Sequence, residues 1–256
     1  MKFICLLVLS FSCFITYGHR LEYEPLEFLV GSSKCFVLDA NSSNENKSWV
    51  WYAPTLLRHP DPSHSWYIDK LLGNGISFAG CDQGEVRGSP KSVDRFTNFY
   101  NKMVDRGYSK QPVLLGQSRG GLMMLSWAIK NPKKLRAFAG IYPVLNLRSW
   151  PMKRNLSHTL ADFGMDQDTF FKTVDLHNPI HQLEGLAQAK VPFFIIHGDS
   201  DVVVPLEENT EIVIDRYTKL GGEANVRVVP EKGHQVCDDF FKSKELIEFI
   251  IQQSTH

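Results

Sequence analysis

From Lys34 to the C-terminus short apolar runs bounded by turns recur along the chain, most of them followed by a stretch with helical spacing. The runs are KCFVLDA (Lys34–Ala40), WVWYAP (Trp49–Pro54), ISFAGCD (Ile76–Asp82), PVLLG (Pro112–Gly116), AFAGIYPV (Ala137–Val144), VPFFIIHGD (Val191–Asp199) and NVRVVPEKG (Asn225–Gly233). Runs of this length and composition suit strands buried on both faces. Helical spacing fills the intervals at Ser65–Gly75, Ser92–Arg106, Gly120–Lys130, Glu207–Leu220 and about Asp238–Gln252, with Gly107 and Asn131-Pro132 as stops. That alternation predicts an α/β fold with a mostly parallel sheet and helices on both faces.

The alternation lapses over 145–190, a stretch rich in Asp, His, Asn and aromatic residues. It predicts a cap-like insertion of short helices above the sheet, where Trp150, Phe163, Phe170 and Phe171 could line a pocket and HNPI (His177–Ile180) ends a helix. Trp127 and Phe99 lie on helix faces that belong to the core. With no internal repeat or low-complexity linker, 19–256 is expected to be one domain.

The first 18 residues have another character. Lys2 precedes an apolar run from Phe3 to about Ile15, and small or polar residues follow. This is the layout of a secretory signal peptide cleaved after Gly18. The run is shorter than the ~20 residues a spanning helix needs. A secreted or periplasmic mature protein is therefore expected, with a lipid anchor at Cys13 the lesser alternative and no stable membrane span. Formal net charge is zero, which speaks against a nucleic-acid partner or a polybasic membrane patch.

Cleavage would leave Cys35, Cys81 and Cys237. They are too few and too dispersed for a disulfide framework, and they show no metal-ligand spacing. One disulfide with one free thiol remains open, its pairing undetermined. The cluster RHPDPSH offers His59, Asp61 and His64, but its two prolines favour a stiff turn over a metal site. No metal or cofactor is expected.

Between the run PVLLG and the helical segment GGLMMLSWAIK stands QSRG, so Ser118 falls at a strand-to-helix turn. The pattern GxSxG alone arises by chance in about one chain of this length in ten; its position carries the information. A nucleophile elbow needs small residues at 116 and 120, where strand and helix backbones approach closely. It also sets the serine at a helix N-terminus, where amide dipoles favour developing negative charge.

A nucleophilic serine needs a histidine base, and the base needs a carboxylate to fix its tautomer. In this kind of fold the order is Ser, acid, His. Only His234 and the terminal His256 follow the later strands; His234, in PEKGHQV, lies on a loop at the carboxyl edge of the sheet. The acid comes from HGDSDVVVP, which offers Asp199 and Asp201. Asp201 is preferred because the apolar VVVP return anchors it, whereas Asp199 suits an Asx turn. His197 is expected to pack at the strand end.

The segments GQSRGG, HGDSDVVVP and KGH resemble the three signature segments of the α/β-hydrolase superfamily, in its prolyl-oligopeptidase and dienelactone-hydrolase-like branch. SRGGLM, AGIYPV and HNPI are also similar to small, mostly bacterial serine hydrolases of that kind. The likeness runs from about Trp49 to the C-terminus. It implies a three-layer α/β-hydrolase fold and a triad of Ser118, Asp201 and His234. It also implies an oxyanion hole using the Arg119 amide and one donor from Thr55 or Leu56. Many members carry His-Gly at the second-donor loop; here the matching stretch is WYAPTLL, and Pro54 has no N–H to give. Arg119 is expected to pair with Asp82 or Glu85, or to meet a substrate carboxylate.

The expected activity is a serine hydrolase acting on a small ester, with no cofactor. Short peptides and a catalytically silent binding protein are the alternatives. Relatives among the oligopeptidases restrict access with a propeller domain, for which 256 residues leave no room, so esters are expected ahead of peptides.

Overall fold

The computed structural model describes residues 23–40, 47–56 and 60–255. Residues 1–18, expected to be a signal peptide, with Cys5 and Cys13, lie outside the described residues, as do His59 and His256. Eight strands form one sheet: β1 (Leu26–Val30), β2 (Ser33–Leu38), β3 (Trp49–Ala53), β4 (Ser77–Cys81), β5 (Val113–Gln117), β6 (Ala137–Ile141), β7 (Phe193–Gly198) and β8 (Ala224–Val229). Their spatial order is β1-β2-β4-β3-β5-β6-β7-β8. The first two pairings, β1 with β2 and β2 with β4, are antiparallel; all the others are parallel.

Ten α-helices accompany them among the described residues: α1 (Ser65–Gly73), α2 (Pro90–Asp105), α3 (Gly120–Lys130), α4 (Trp150–Arg154), α5 (Leu156–Phe163), α6 (Gln167–His177), α7 (Glu184–Gln188), α8 (Thr210–Lys219), α9 (Asp238–Phe241) and α10 (Lys244–Ser254). Strand residues alternate between two cores. Trp49, Trp51, Leu114, Phe138 and Ile195 pack with α2, α3 and α8, whereas Val50, Tyr52, Leu115, Ile141 and Ile196 pack with α1 and α10. Trp127 and Phe99 both pack on Trp51, with ring centroids 4.8 and 5.2 Å away, and so belong to the first core as expected. Helices on both faces of a mostly parallel sheet give the three layers the apolar runs require.

Two sequence expectations need correction, and one strand was not read at all. The stretch before Lys34 forms β1, which closes a hairpin with β2 at the sheet edge; its exposed Leu26 and Leu29 give no buried run to read. The helix read over Asp238–Gln252 is two helices, because Ser243 interrupts it and caps α10 by accepting from the Leu246 N–H. The helix read from Glu207 begins at Thr210, after one 3₁₀ turn over Leu206–Glu208.

Residues 145–190 form α4 to α7 and a 3₁₀ turn at Pro179–His181. Phe170 is fully buried among Leu122, Val144, Leu147, Val174 and Val204, and Phe163 packs on it. Of the four aromatics proposed to line a pocket, Phe170 is thus part of a small core seated on the start of α3 and on the loop after β7, while Phe171 is exposed. Asn178 of HNPI is buried, accepting from the Leu147 N–H and donating to Asn146.

Candidate active site

β5 ends at Gln117 and α3 begins at Gly120, so Ser118 and Arg119 make the whole connection. Ser118 has φ +49°, a left-handed conformation uncommon outside glycine. The turn is closed by the Ser118 N–H donating to the Ile141 carbonyl at 3.0 Å. The Gly121 and Val144 N–H groups both donate to the Ser118 carbonyl, at 2.9 and 2.8 Å. The Arg119 N–H takes part in none of these bonds.

Both motif glycines are required by close approach. A Cβ on Gly116 would stand 2.8 Å from Gly121 Cα, and one on Gly120 would stand 2.0 Å from the Ala53 carbonyl oxygen and 2.6 Å from Pro54 N. The same contact brings the end of β3 against the elbow, so the Thr55 N–H is the first donor beyond Pro54 beside it. Thr55 is buried, its hydroxyl turned to the Tyr52 carbonyl at 3.4 Å. Thr55 and Leu56 also border a cavity of about 270 Å³ with Phe36, Leu38 and Asp82. A larger cavity, about 540 Å³, lies between α2, α3 and the end of α6 and includes none of Ser118, Asp201 and His234.

The residues expected from three distant loops converge. Ser118 Oγ lies 2.8 Å from His234 Nε2, and His234 Nδ1 lies 2.7 Å from Asp201 Oδ2. Asp201 Oδ1 accepts from the Val203 and Val204 N–H groups at 2.9 and 2.8 Å. Burial alone would raise the Asp201 carboxyl, but hydrogen bonds from His197, His234 and the Val204 N–H outweigh it and hold the group well below the usual carboxylate range. Asp199 instead ties its own loop, accepting from the Glu231 N–H at 2.8 Å.

His197 packs as expected, fully buried between Thr210 Oγ1 at 2.7 Å and the Val204 carbonyl at 2.8 Å. Its Nε2 also stands 3.4 Å from Asp201 Oδ2, so it supports the acid as well as the strand end.

Sequence reasoning missed the buried layer beneath the serine. Tyr52 Oη donates to Gln117 Oε1 at 2.7 Å, and His64 Nε2 lies 2.9 Å from both. Gln117 Nε2 donates to the Tyr142 hydroxyl at 3.3 Å, and the Tyr142 ring lies 4.5 Å from that of His234. His64 therefore faces inward to this network, with Asp61 Oδ1 3.0 Å from its Nδ1. Tyr142, at φ +34°, reads in sequence as the last part of an apolar strand, and nothing in AFAGIYPV signals its role.

Arg119 pairs with Glu85 at 2.7 Å, one of its two expected partners, and its Nε is buried without a hydrogen bond. Two residues on, Arg87 is buried and donates to Asp162 of α5 at 2.5 Å, tying the 82–89 loop to the 145–190 segment. That contact had no sequence signal.

The prolyl oligopeptidase family profile matches residues 84–252, a span that holds Ser118, Asp201 and His234. The chain belongs to the prolyl oligopeptidase family. Among curated proteins it is similar to the uncharacterized peptidase YuxL of Bacillus subtilis, 23% identical over 166 residues, which covers 64% of this chain and 25% of that protein. Among solved structures it resembles a puromycin-hydrolyzing peptidase of Mycobacterium tuberculosis, with TM-score 0.73 at 14% identity over 91% of this chain and 40% of that one. A thermostable esterase matches with TM-score 0.65 at 12% identity over 91% of this chain and 63% of that one. These likenesses show the α/β-hydrolase fold of the prolyl oligopeptidase family. The chain spans a quarter of the length of its curated relative.

Proposed function

We propose that this chain hydrolyses carboxylic esters through an acyl-enzyme on Ser118. The observation that carries the reading is the continuous hydrogen-bond chain from Ser118 through His234 to Asp201. Asp201, ionised, accepts from His234 Nδ1–H, which leaves Nε2 free to take the serine proton. Ser118 Oγ attacks the ester carbonyl, and the tetrahedral oxyanion rests on the Arg119 N–H with the Thr55 or Leu56 N–H as second donor. His234 then returns its proton to the leaving alcohol. Water, deprotonated by the same imidazole, releases the acid.

Ester cleavage is the least demanding use of this machinery, because an alkoxide leaves far more readily than an amide nitrogen. The cavity beside Thr55 and Leu56 suits a short acyl or alcohol group. The N-terminal Met1–Gly18 layout supports export of the mature chain. A second reading, cleavage of short peptides or aminoacyl amides, is favoured by the family itself and by the peptidases among its relatives.

A fluorophosphonate probe followed by peptide mapping tests the core of the proposal. Modification at Ser118 is expected; a folded protein that stays unlabelled is a binding protein on a hydrolase scaffold. A series of p-nitrophenyl esters assayed beside aminoacyl p-nitroanilides then separates the two readings by kcat/KM.

A further inference from the structure

Cys35 and Cys81 are opposed residues in the antiparallel pairing of β2 with β4. The Asp82 N–H donates to the Lys34 carbonyl at 2.8 Å, so the ladder bond falls on the neighbouring pair. Cys35 and Cys81 therefore occupy a non-hydrogen-bonded position, where opposed Cα atoms stand about 4.5 Å apart and side chains come closest. That separation lies inside the range a disulfide spans. The two sulfurs are in direct contact, 2.7 Å apart, and each residue is only 2% exposed. The third described cysteine cannot compete: Cys237 packs with the α1 and α10 core, while Cys35 and Cys81 lie in the core on the opposite face of the sheet.

We infer that Cys35 and Cys81 form a disulfide that fastens the edge hairpin β1–β2 to β4, leaving Cys237 as a thiol. Two thiols lose two protons and two electrons as the S–S bond forms; a small disulfide such as oxidised glutathione takes them up and becomes two thiols. Contact with Cys35 and burial push the Cys81 thiol far above its ordinary range, so little thiolate exists once the strands have paired. Cys81 is the last residue of β4, so the cross-link also anchors the start of the loop that carries Glu85 and Arg87. This inference is independent of the ester reading.

The test refolds the full chain in a reduced and oxidised glutathione buffer, alkylates it with iodoacetamide under denaturing conditions, and maps the peptides without reduction. The expected result is one linked pair containing Cys35 and Cys81, two hydrogens lighter than its reduced components, with Cys237 alkylated. Alkylation of both Cys35 and Cys81, or a bond from either to Cys237, overturns the proposal. Because the mapping uses the unaltered chain, it decides even where a variant folds poorly. Where they fold, Cys35→Ser and Cys81→Ser should each lower Tm by roughly 5–15 °C relative to the oxidised protein. Neither should differ much from the reduced protein. Equal Tm for oxidised and reduced wild type would overturn the fastening role.

Discussion

The Tyr142 ring lies 4.5 Å from the His234 imidazole, and its hydroxyl accepts from Gln117, the residue before Ser118. One side chain thus touches His234, the proposed base, and braces Gln117 beside Ser118, the proposed nucleophile. Tyr142→Phe keeps the ring but strands the Gln117 N–H, a loss of about 1–3 kcal/mol in stability, and is expected to hold kcat within tenfold. Tyr142→Ala removes the wall behind His234 and costs about 3–5 kcal/mol. Its kcat should fall well beyond that of the Phe variant. Urea melts and ester kinetics on the pair check this; an alanine variant with wild-type kcat would show that Tyr142 does not position the base.

In the proposed mechanism Ser118 and His234, 2.8 Å apart, work as one catalytic unit, so Ser118→Ala and His234→Ala test it together. Each should reduce kcat by about 10⁴–10⁶-fold with KM little changed, and the double variant should be no worse than either single. Steady-state kinetics with a p-nitrophenyl ester measure all three. Losses that multiply in the double variant would mean the two residues do not act together.

The Asp201 carboxyl is held below the ordinary carboxylate range by its hydrogen bonds. A group whose folded pKa is depressed stabilises the fold above its unfolded pKa, about 3.9 for Asp, and loses that contribution as pH falls through the folded value. Asp201→Asn is expected to lower stability at pH 7 by about 1.5–3 kcal/mol and to flatten the decline seen on acidification below about pH 4. It should also reduce kcat by about 10⁴-fold through loss of the correct imidazole tautomer. Chemical denaturation across pH 2.5–7 (a range set by that same titration) gives the stability part. An Asn variant whose acid sensitivity matches wild type would contradict it.

The convergence of Ser118, Asp201 and His234 was legible because each follows an apolar run that reads as a strand, and parallel strands deliver their carboxyl ends to one edge. The last of these, β8, is an edge strand that leaves Val226 and Val228 exposed rather than buried. Seven of the eight strands announced themselves the same way. What sequence hid had no periodicity to give it away. β1 exposes its leucines, Ser243 breaks a helix through a cap, and Tyr52, His64, Gln117 and Tyr142 meet from four separate segments. His64 illustrates the difficulty: in RHPDPSH it reads as part of a turn, yet it is fully buried under the elbow. For Arg119 the sequence offered two acidic partners on one loop, Asp82 and Glu85, and the structure chooses Glu85.

Adjacent positions in the elbow should respond in opposite ways. Arg119 contributes its backbone N–H to the proposed oxyanion hole, while its side chain pairs with a half-exposed Glu85. Exposed pairs of this kind contribute about 0–1 kcal/mol. Arg119→Ala keeps the amide and should retain kcat on neutral esters within about tenfold, far from the 10²–10³-fold loss of an oxyanion donor. Gly120→Ala places a Cβ 2.0 Å from the Ala53 carbonyl oxygen, a clash with backbone that no side-chain rotation relieves. It must push α3 away from β3, separating the Arg119 amide from the donors beyond Pro54. Such overpacking costs about 1–3 kcal/mol, and kcat should fall by at least 10²-fold as the oxyanion hole opens. Parallel kinetics and melts on the two variants decide; an active, stable Gly120→Ala protein would mean that β3 and the elbow are not held in this contact.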